Sequence, residues 1–435
     1  MTVLAEHPGT LVTRGLRRPP VVPIGWLGEP RLLRAVAEGD LIDHRAHRAV
    51  HGPLTDVSLD SLLAQLDAVS LTGRGGAAFP MAVKLRSVRQ GRRPIIVVNG
   101  CEGEPSSSKD TVLLSRTPHL VLDGAALTAG ALGARKVLVA VTADGVEGVL
   151  RAAIASRPDA RLFRVHRFAE RFVTGEARAL IAGLNGGTPV PPGRRQLPTE
   201  RGVNGAPTVL SNAETYAQLA MLVGLGPDRF AAVGTPDEPG TTLITVTGAV
   251  RRPGVLEIPY GLPLGEVAAA TGAGSGQRVV IGGYHGTWLA ADARMPLSKA
   301  GLVAAGGTFG AGAVMFLGEH TCELAELARI TDWLAGQSAK NCGPCAFGLP
   351  ALAAEVHALA VGHADTATVD RHARMVTGRG ACAHPDGAAR FILSGLRALR
   401  HEILVHRDFG GCGRPDLHQL PLSRELAFTA KEVRS

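Results

Sequence analysis

The sequence predicts an α/β protein: a nucleotide-type α/β domain of non-Rossmann design, then a β-rich segment, then a C-terminal helical bundle. Three observations carry this reading. Residues 57–235 alternate helical stretch, strand and loop, the pattern of a sheet covered by helices on both faces. Pro236 and Pro239 mark a change of texture, after which apolar and polar residues alternate. From about residue 320 the apolar side chains return at helical spacing in four successive stretches. The expected boundaries are an N-terminal extension at 1–56, the α/β domain at 57–235, the β-rich domain at 236–310, the helical domain at 311–410 and a tail at 411–435.

Residues 1–56 carry Pro19-Pro20, several glycines and mixed charges, and are expected to wrap the surface or meet a partner. Leu59, Leu62, Leu63, Leu66 and Val69 then recur at helical spacing behind Ser58, a capping residue. The glycine-packed loop at 71–80 follows, and backbone N–H groups in such a loop can approach a phosphate closely because no Cβ intervenes. Gly73, Gly75 and Ala78 fit the loose G-x-G-x-x-A pattern, yet a helix rather than a strand precedes them, which excludes a Rossmann turn. Lys84 can add charge to the loop, and the apolar run at 94–98 reads as an interior strand delivering Asn99, Glu102 and Glu104 to its carboxyl end. A helix at 120–132, a strand at 136–141, a helix at 146–154 and a strand at 161–166 continue the alternation. Pro189, Pro191, Pro192 and Pro198 mark an extended connection. Strands at 242–250 and 255–259, a helix at 262–271 and a strand near 279–283 follow. The helical stretches are 324–334, 349–359, 369–375 and 388–404.

Composition narrows the class. A chain of 435 residues has room for about two to four domains. It contains no apolar run of roughly eighteen residues, so it is not expected to span a membrane, and Arg17-Arg18 lead into no apolar segment of a cleaved leader. A cytoplasmic protein, peripheral at most to a membrane complex, is expected. The net charge of +8 is scattered and only 4% of residues are aromatic, which argues against a nucleic-acid surface.

Five of the six cysteines fall after residue 320, a clustering that favours metal or redox work. Cys342 and Cys345 form a C-x-x-C that can place two thiolates on one ion, with Cys382 and Cys412 as the further candidates. Cys322 lies on an apolar helical stretch and is expected in the core. His401, Glu402 and His406 miss the zincin pattern because the histidines are five apart and do not share a face.

Gly-Arg-Gly-Gly-Ala-Ala-Phe-Pro at 73–80, Val-Val-Asn-Gly-Cys-Glu-Gly-Glu-Pro at 97–105, Lys109-Asp110, Thr174-Gly175-Glu176, Asn212-Ala213-Glu214-Thr215 and the cysteine region after 338 occur in this order. Over roughly residues 57–406 the chain thereby resembles the NADH- and FMN-binding flavoprotein subunit of respiratory complex I and related diaphorase subunits, as a divergent member. The resemblance implies a flavin-binding α/β domain and a β-grasp module of the soluble-ligand-binding type at 236–310. It also implies hydride transfer from NADH to FMN and onward transfer through an iron-sulfur cluster of 4Fe-4S type to a ferredoxin-like or thioredoxin-like partner subunit.

Carried over by position, Gly73, Arg74, Gly75, Gly76, Lys84, Asn99, Glu102, Gly175, Glu176, Asn212 and Thr215 would contact or shape the FMN site, and Phe79 and Glu104 would face the dinucleotide. The chain departs from the family at Cys101, Ala177, Ser211, Ser87 and Leu197, at 141–144, and at Ala339, which occupies the first cluster-ligand position. Cys342, Cys345 and Cys382 keep theirs. Cys412, Asn341, His384 or a small molecule would then complete the cluster; a three-iron cluster, zinc on the same cysteines with His384 or Cys412, and no metal are the other outcomes. A non-catalytic scaffold subunit of the same fold and a zinc-stabilised binding protein are the alternatives to an oxidoreductase.

Overall fold

The computed structural model describes residues 19–37, 43–88, 93–193, 196–274 and 276–423; the Arg17-Arg18 pair lies outside them. The described residues divide into two compact units, one drawn from 1–103, 108–244 and 255–262, the other from 104–107, 245–254 and 263–435.

The first unit is built on a four-stranded parallel sheet in which Phe163–Arg167, Val137–Val141, Ile95–Gly100 and Thr208–Asn212 lie side by side in that order. The two central strands are runs of Val, Ile, Leu and Ala, as expected of strands buried on both faces. Val97, Leu138, Ala140 and Leu210 pack against Leu180 and Ile181 of the helix Ala177–Leu184. Helices Pro118–Leu132 and Ala213–Leu225 pack on one another and on the strand Ile95–Gly100. Their approach is closest at Gly124, where a Cβ would stand 1.8 Å from the carbonyl oxygen of Tyr216. Tyr216 is fully buried, and its hydroxyl donates to the carbonyls of Val209 and Val97 at 3.0 and 3.3 Å, tying this helix to two strands. The helix Leu59–Ala68 starts as its sequence indicates, with the Ser58 hydroxyl accepting from the Ser61 N–H at 3.2 Å.

The N-terminal residues do more than wrap the surface. Ile24–Trp26 pairs in parallel with 255–257, and the buried Glu257 carboxylate accepts the N–H groups of Arg31, Leu32 and Leu33, each at 2.9 Å. The helix His44–His51 is anchored by His47, whose Nε2 lies 2.8 Å from the Asp123 carboxylate. Arg48 and Arg157 share the other oxygen of Asp123.

In the second unit, 313–316 pairs in parallel with 245–248, 314–317 runs antiparallel to 278–281, and 278–281 runs antiparallel to 287–290. Helices Glu323–Gly336, Leu349–Ala360, Thr366–Val376, His384–Ala398 and Arg400–Phe409 follow. The stretch 388–404, read as one helix, is thus two, separated at Leu399. Leu399 is fully buried and leaves helical geometry at φ −99° and ψ 14°; an apolar residue at the break kept the helical spacing unbroken in the sequence. Among the described residues no helix is long and apolar enough to cross a membrane.

Gly124→Ala would force the helix pair apart and is expected to lower stability by about 1–3 kcal/mol or more, as overpacking does. Gly130→Ala, in the same helix with nothing within 4 Å of the new methyl, should instead stabilise by ~0.5–1 kcal/mol. Denaturant titration of the two variants checks the contrast.

Candidate nucleotide site and cysteine region

The glycine loop is closed on itself before any ligand is considered. Gly73 N–H donates to the Phe79 carbonyl at 2.9 Å, Met81 N–H to the Leu71 carbonyl at 2.9 Å, and Thr72 bridges Pro80. Gly76 turns the chain at φ +91°, a conformation glycine adopts without steric cost. The Arg74 N–H donates to Thr215 Oγ1 at 2.9 Å, fastening the loop to the start of the helix Ala213–Leu225. The Arg74 guanidinium is buried, bonded to the Tyr260 hydroxyl and lying 4.7 Å from that ring's centre, while its Nε has no partner among the described residues.

Lys84, on the helix Met81–Ser87, donates to the Leu210 carbonyl at 2.7 Å and the Ser211 hydroxyl at 3.4 Å. Among the described residues no carboxylate pairs with it. Burial without a counter-charge pulls its ammonium down to about 8.

At the carboxyl end of Ile95–Gly100, Asn99 Nδ2 donates to the Gly175 carbonyl at 2.9 Å while its Oδ1 accepts the Cys101 N–H at 3.1 Å. Gly175 sits so close to this bend that a Cβ would stand 2.6 Å from the Cys101 carbonyl. Cys101 itself packs into the apolar cluster beneath the sheet, as a small buried side chain. Glu102 is turned inward: its two oxygens accept the N–H groups of Asp110 and Thr111 at 3.1 and 3.0 Å and the Thr111 hydroxyl at 2.8 Å. These are orphan donors in the first turn of the helix Lys109–Arg116, so Glu102 serves as a cap contributed from a distant loop.

Beside it, Lys109 Nζ lies 2.9 Å from Asp110, 3.1 Å from Glu214 and 3.1 Å from Asn212 Oδ1. Burial is the largest influence on Asp110; with the Glu102 charge it outweighs Lys109 and raises the carboxyl to about 6. Asn212 bridges this group, donating to Asp110 and accepting from Lys109, while also capping its own helix through the Glu214 N–H at 3.0 Å.

The carried-over residues therefore divide. Arg74, Lys84, Asn99, Glu102, Asn212 and Thr215 converge on one site in the first unit. Glu176 caps the helix Ala177–Leu184, accepting the Arg178 and Ala179 N–H groups at 2.9 Å each. Phe79 is exposed, with Lys84 Nζ 6.0 Å from its ring centre. Glu104 belongs to the second unit, where its carboxylate accepts the Ser106 hydroxyl at 2.6 Å and the Tyr284 N–H at 2.7 Å. These bonds commit both of its oxygens to neighbours within that unit. Tyr260, Lys109 and Glu214 as site members escaped the reading of the sequence, although two of the three lie inside the motifs quoted for it.

The cysteines separate into two groups. Cys342 and Cys345 are in hydrogen-bonding range, and with Cys382 nearby and burial as the main cause the Cys345 thiol is pushed up to about 12. Cys412 does not join them. Its thiol lies with Cys322, Glu402 and His406, so it is not the missing ligand of the C-x-x-C group, and Cys322 is not merely core. His384 is also turned elsewhere, its ring nitrogens 2.9 Å from the Leu334 carbonyl and 3.0 Å from His285.

Replacing Glu102 by Ala should leave the first-turn donors buried and unpaired, a loss of about 1–3 kcal/mol by denaturant titration, whereas Glu102→Gln keeps one acceptor and should lose less.

Residues 66–221 match the family described as the Nuo51 FMN-binding domain, and residues 325–406 match the NADH-ubiquinone oxidoreductase-F iron-sulfur binding region. The chain is 30% identical over 398 residues to the F subunit of the NADH-quinone oxidoreductase of Mycobacterium tuberculosis, covering 85% of this chain and 89% of that one. It is 34% identical over 234 residues to the alpha subunit of the NAD-reducing hydrogenase HoxS of Cupriavidus necator, covering 50% of this chain and 39% of that one. A crystal structure of an NAD+-reducing NiFe hydrogenase in the H2-reduced state superimposes with a TM-score of 0.73 at 30% identity; the overlap takes in 82% of this chain and 64% of the hydrogenase chain.

Proposed function

The chain belongs to the family of NADH-quinone oxidoreductase F subunits, and we propose that its glycine-loop site holds FMN, receives hydride from NADH there and serves a partner subunit as electron entry. The observation that carries the assignment is Lys84, a half-buried cation whose partners among the described residues are neutral oxygens, for which a phosphate or a flavin oxygen supplies the missing negative charge. The Arg74 Nε, without a partner among the described residues, is a second buried donor of the same sign. Both fit an anionic nucleotide.

FMN, when bound, accepts hydride as a pair of electrons and can release them singly. The chain's own part is binding and orientation. Gly75 and Gly76 offer backbone N–H groups with no Cβ in the way, Lys84 fixes charge, and Asn212 Nδ2 donates to the Asn99 carbonyl at 3.5 Å where the two strands end side by side. The exposed Phe79 ring supplies a stacking surface for the dinucleotide.

The cysteine region fits its group less well. Cys342, Cys345 and Cys382 make three thiolates where a 4Fe-4S cluster takes four, and Ala339 cannot donate. The partner proposed is a ferredoxin-like or thioredoxin-like iron-sulfur subunit, and the segment from 236 to 310 is proposed as the β-grasp module.

Two measurements test this reading. In protein loaded with FMN without air, NADH should bleach the flavin absorbance; flavin that stays oxidised under excess NADH would refute hydride entry. Lys84→Met should weaken FMN binding by about tenfold or more, the value of one lost charge-assisted hydrogen bond. Because the Lys84 ammonium titrates at about 8 in the free protein, FMN affinity should fall as pH rises past that value, and the variant should not show this fall.

A further inference from the structure

Cys322, Glu402, His406 and Cys412 bring one donor atom each within 4.8 Å of all the others. Cys322 Sγ lies 3.4 Å from both His406 Nε2 and Glu402 Oε1, and Glu402 Oε1 lies 3.8 Å from Cys412 Sγ and from His406 Nε2. Metal bonds of about 2.0–2.3 Å at tetrahedral angles separate neighbouring donors by roughly 3.3–3.8 Å. These four spacings match edges of such a tetrahedron, and Cys412 Sγ lies within 4.8 Å of the Cys322 and His406 donors as well. We propose that these four side chains form a closed zinc site, distinct from the Cys342, Cys345 and Cys382 group.

The surroundings aim each donor inward. His406 Nδ1 faces the Ala360 carbonyl at 2.5 Å; a carbonyl only accepts, so Nδ1 carries the proton and Nε2 presents a lone pair to the centre. The Ala325 N–H donates to Cys322 Sγ at 3.3 Å, and the Leu324 N–H donates to Glu402 Oε1 at 3.0 Å. Arg414 donates to the other Glu402 oxygen. Two thiolates, a carboxylate and Zn2+ leave one negative charge, which the Arg414 guanidinium offsets. A mixed thiolate, imidazole and carboxylate set selects zinc among common divalent ions. Four protein donors leave no open position, so the role is structural.

The elements explain the assembly. Cys322 caps the helix Glu323–Gly336, and its N–H donates to the Pro415 carbonyl at 2.8 Å. Glu402 and His406 are i and i+4 on Arg400–Phe409 and share a face, although His401 and His406 do not. Gly410 ends that helix in the left-handed conformation and returns the chain so that Cys412 reaches the same point. The metal would fasten the loop at 410–416 to the start of Glu323–Gly336 and to one face of Arg400–Phe409.

The full-length protein, made in zinc-supplemented medium and purified anaerobically, is assayed for zinc and iron by mass spectrometry. Beside the wild type stand Cys412→Ser, Cys322→Ser and the double variant C342S/C345S. Cys412 is half-buried in a loop, and a circular dichroism spectrum checks that its variant is folded. About one zinc per chain is expected in the wild type and in C342S/C345S, and none in Cys412→Ser, with a chelator lowering the melting temperature of the first two and not of Cys412→Ser. Cobalt in place of zinc should give thiolate-to-metal charge-transfer bands that vanish in Cys412→Ser. Zinc-free wild type, or zinc that leaves with C342S/C345S and stays in folded Cys412→Ser, overturns the proposal. Flavin content bears on none of these readouts.

Discussion

The Lys109 ammonium lies almost entirely out of water, and the first unit's candidate site is arranged around that charge. Burying an ammonium costs several kcal/mol, and the cost is met only when opposite charges and acceptors surround it. Asp110, Glu214 and the Asn212 carbonyl do so at 2.9 to 3.1 Å. Each partner is in turn committed to another element. Glu214 accepts from the Thr242 hydroxyl and the Leu243 N–H, Asn212 ends a sheet strand, and Asp110 follows the residue that carries the charge in the helix that Glu102 caps. Losing the ammonium would leave two carboxylates uncompensated in a dry interior, which is why this network sets the position of strand ends, helix starts and the glycine loop together.

Lys84 obeys the opposite logic a few residues from the loop. It is held by neutral oxygens, so its charge is unfavourable as the chain stands and becomes favourable only beside an anion. One lysine is thus satisfied by the fold, and the other has no counter-charge among the described residues. That contrast separates a structural charge from a functional one more clearly than residue type does.

The strands at 95–100 and 137–141 and the helix behind Ser58 were legible in the sequence because apolar runs, helical spacing and a capping hydroxyl are local signals. The glycine loop and its lysine were legible for the same reason. What was not legible depends on distant partners. Glu102 and Glu176 look like ligands in a motif, yet each caps a helix, and Glu104 lies under the Tyr284 N–H 180 residues away. Nothing periodic links Cys322 to His406 across 84 residues, so a thiol on an apolar helix read as core. The helix at 388–404 misled differently: buried Leu399 keeps the apolar spacing through a real break in the backbone.

The contact between Glu257 and the backbone of Arg31, Leu32 and Leu33 bears on how this protein can be cut down for experiments. The matched flavin-binding family begins only at residue 66, which makes the preceding residues look dispensable. They are not. Trimming them would remove three of the four donors that hold that carboxylate among the described residues, leaving Thr241 at 2.6 Å, and would strip the pairing strand from 255–257. A fragment beginning at the start of the recognised domain is therefore expected to be less stable than one that begins before Ile24, for reasons unrelated to its cofactors.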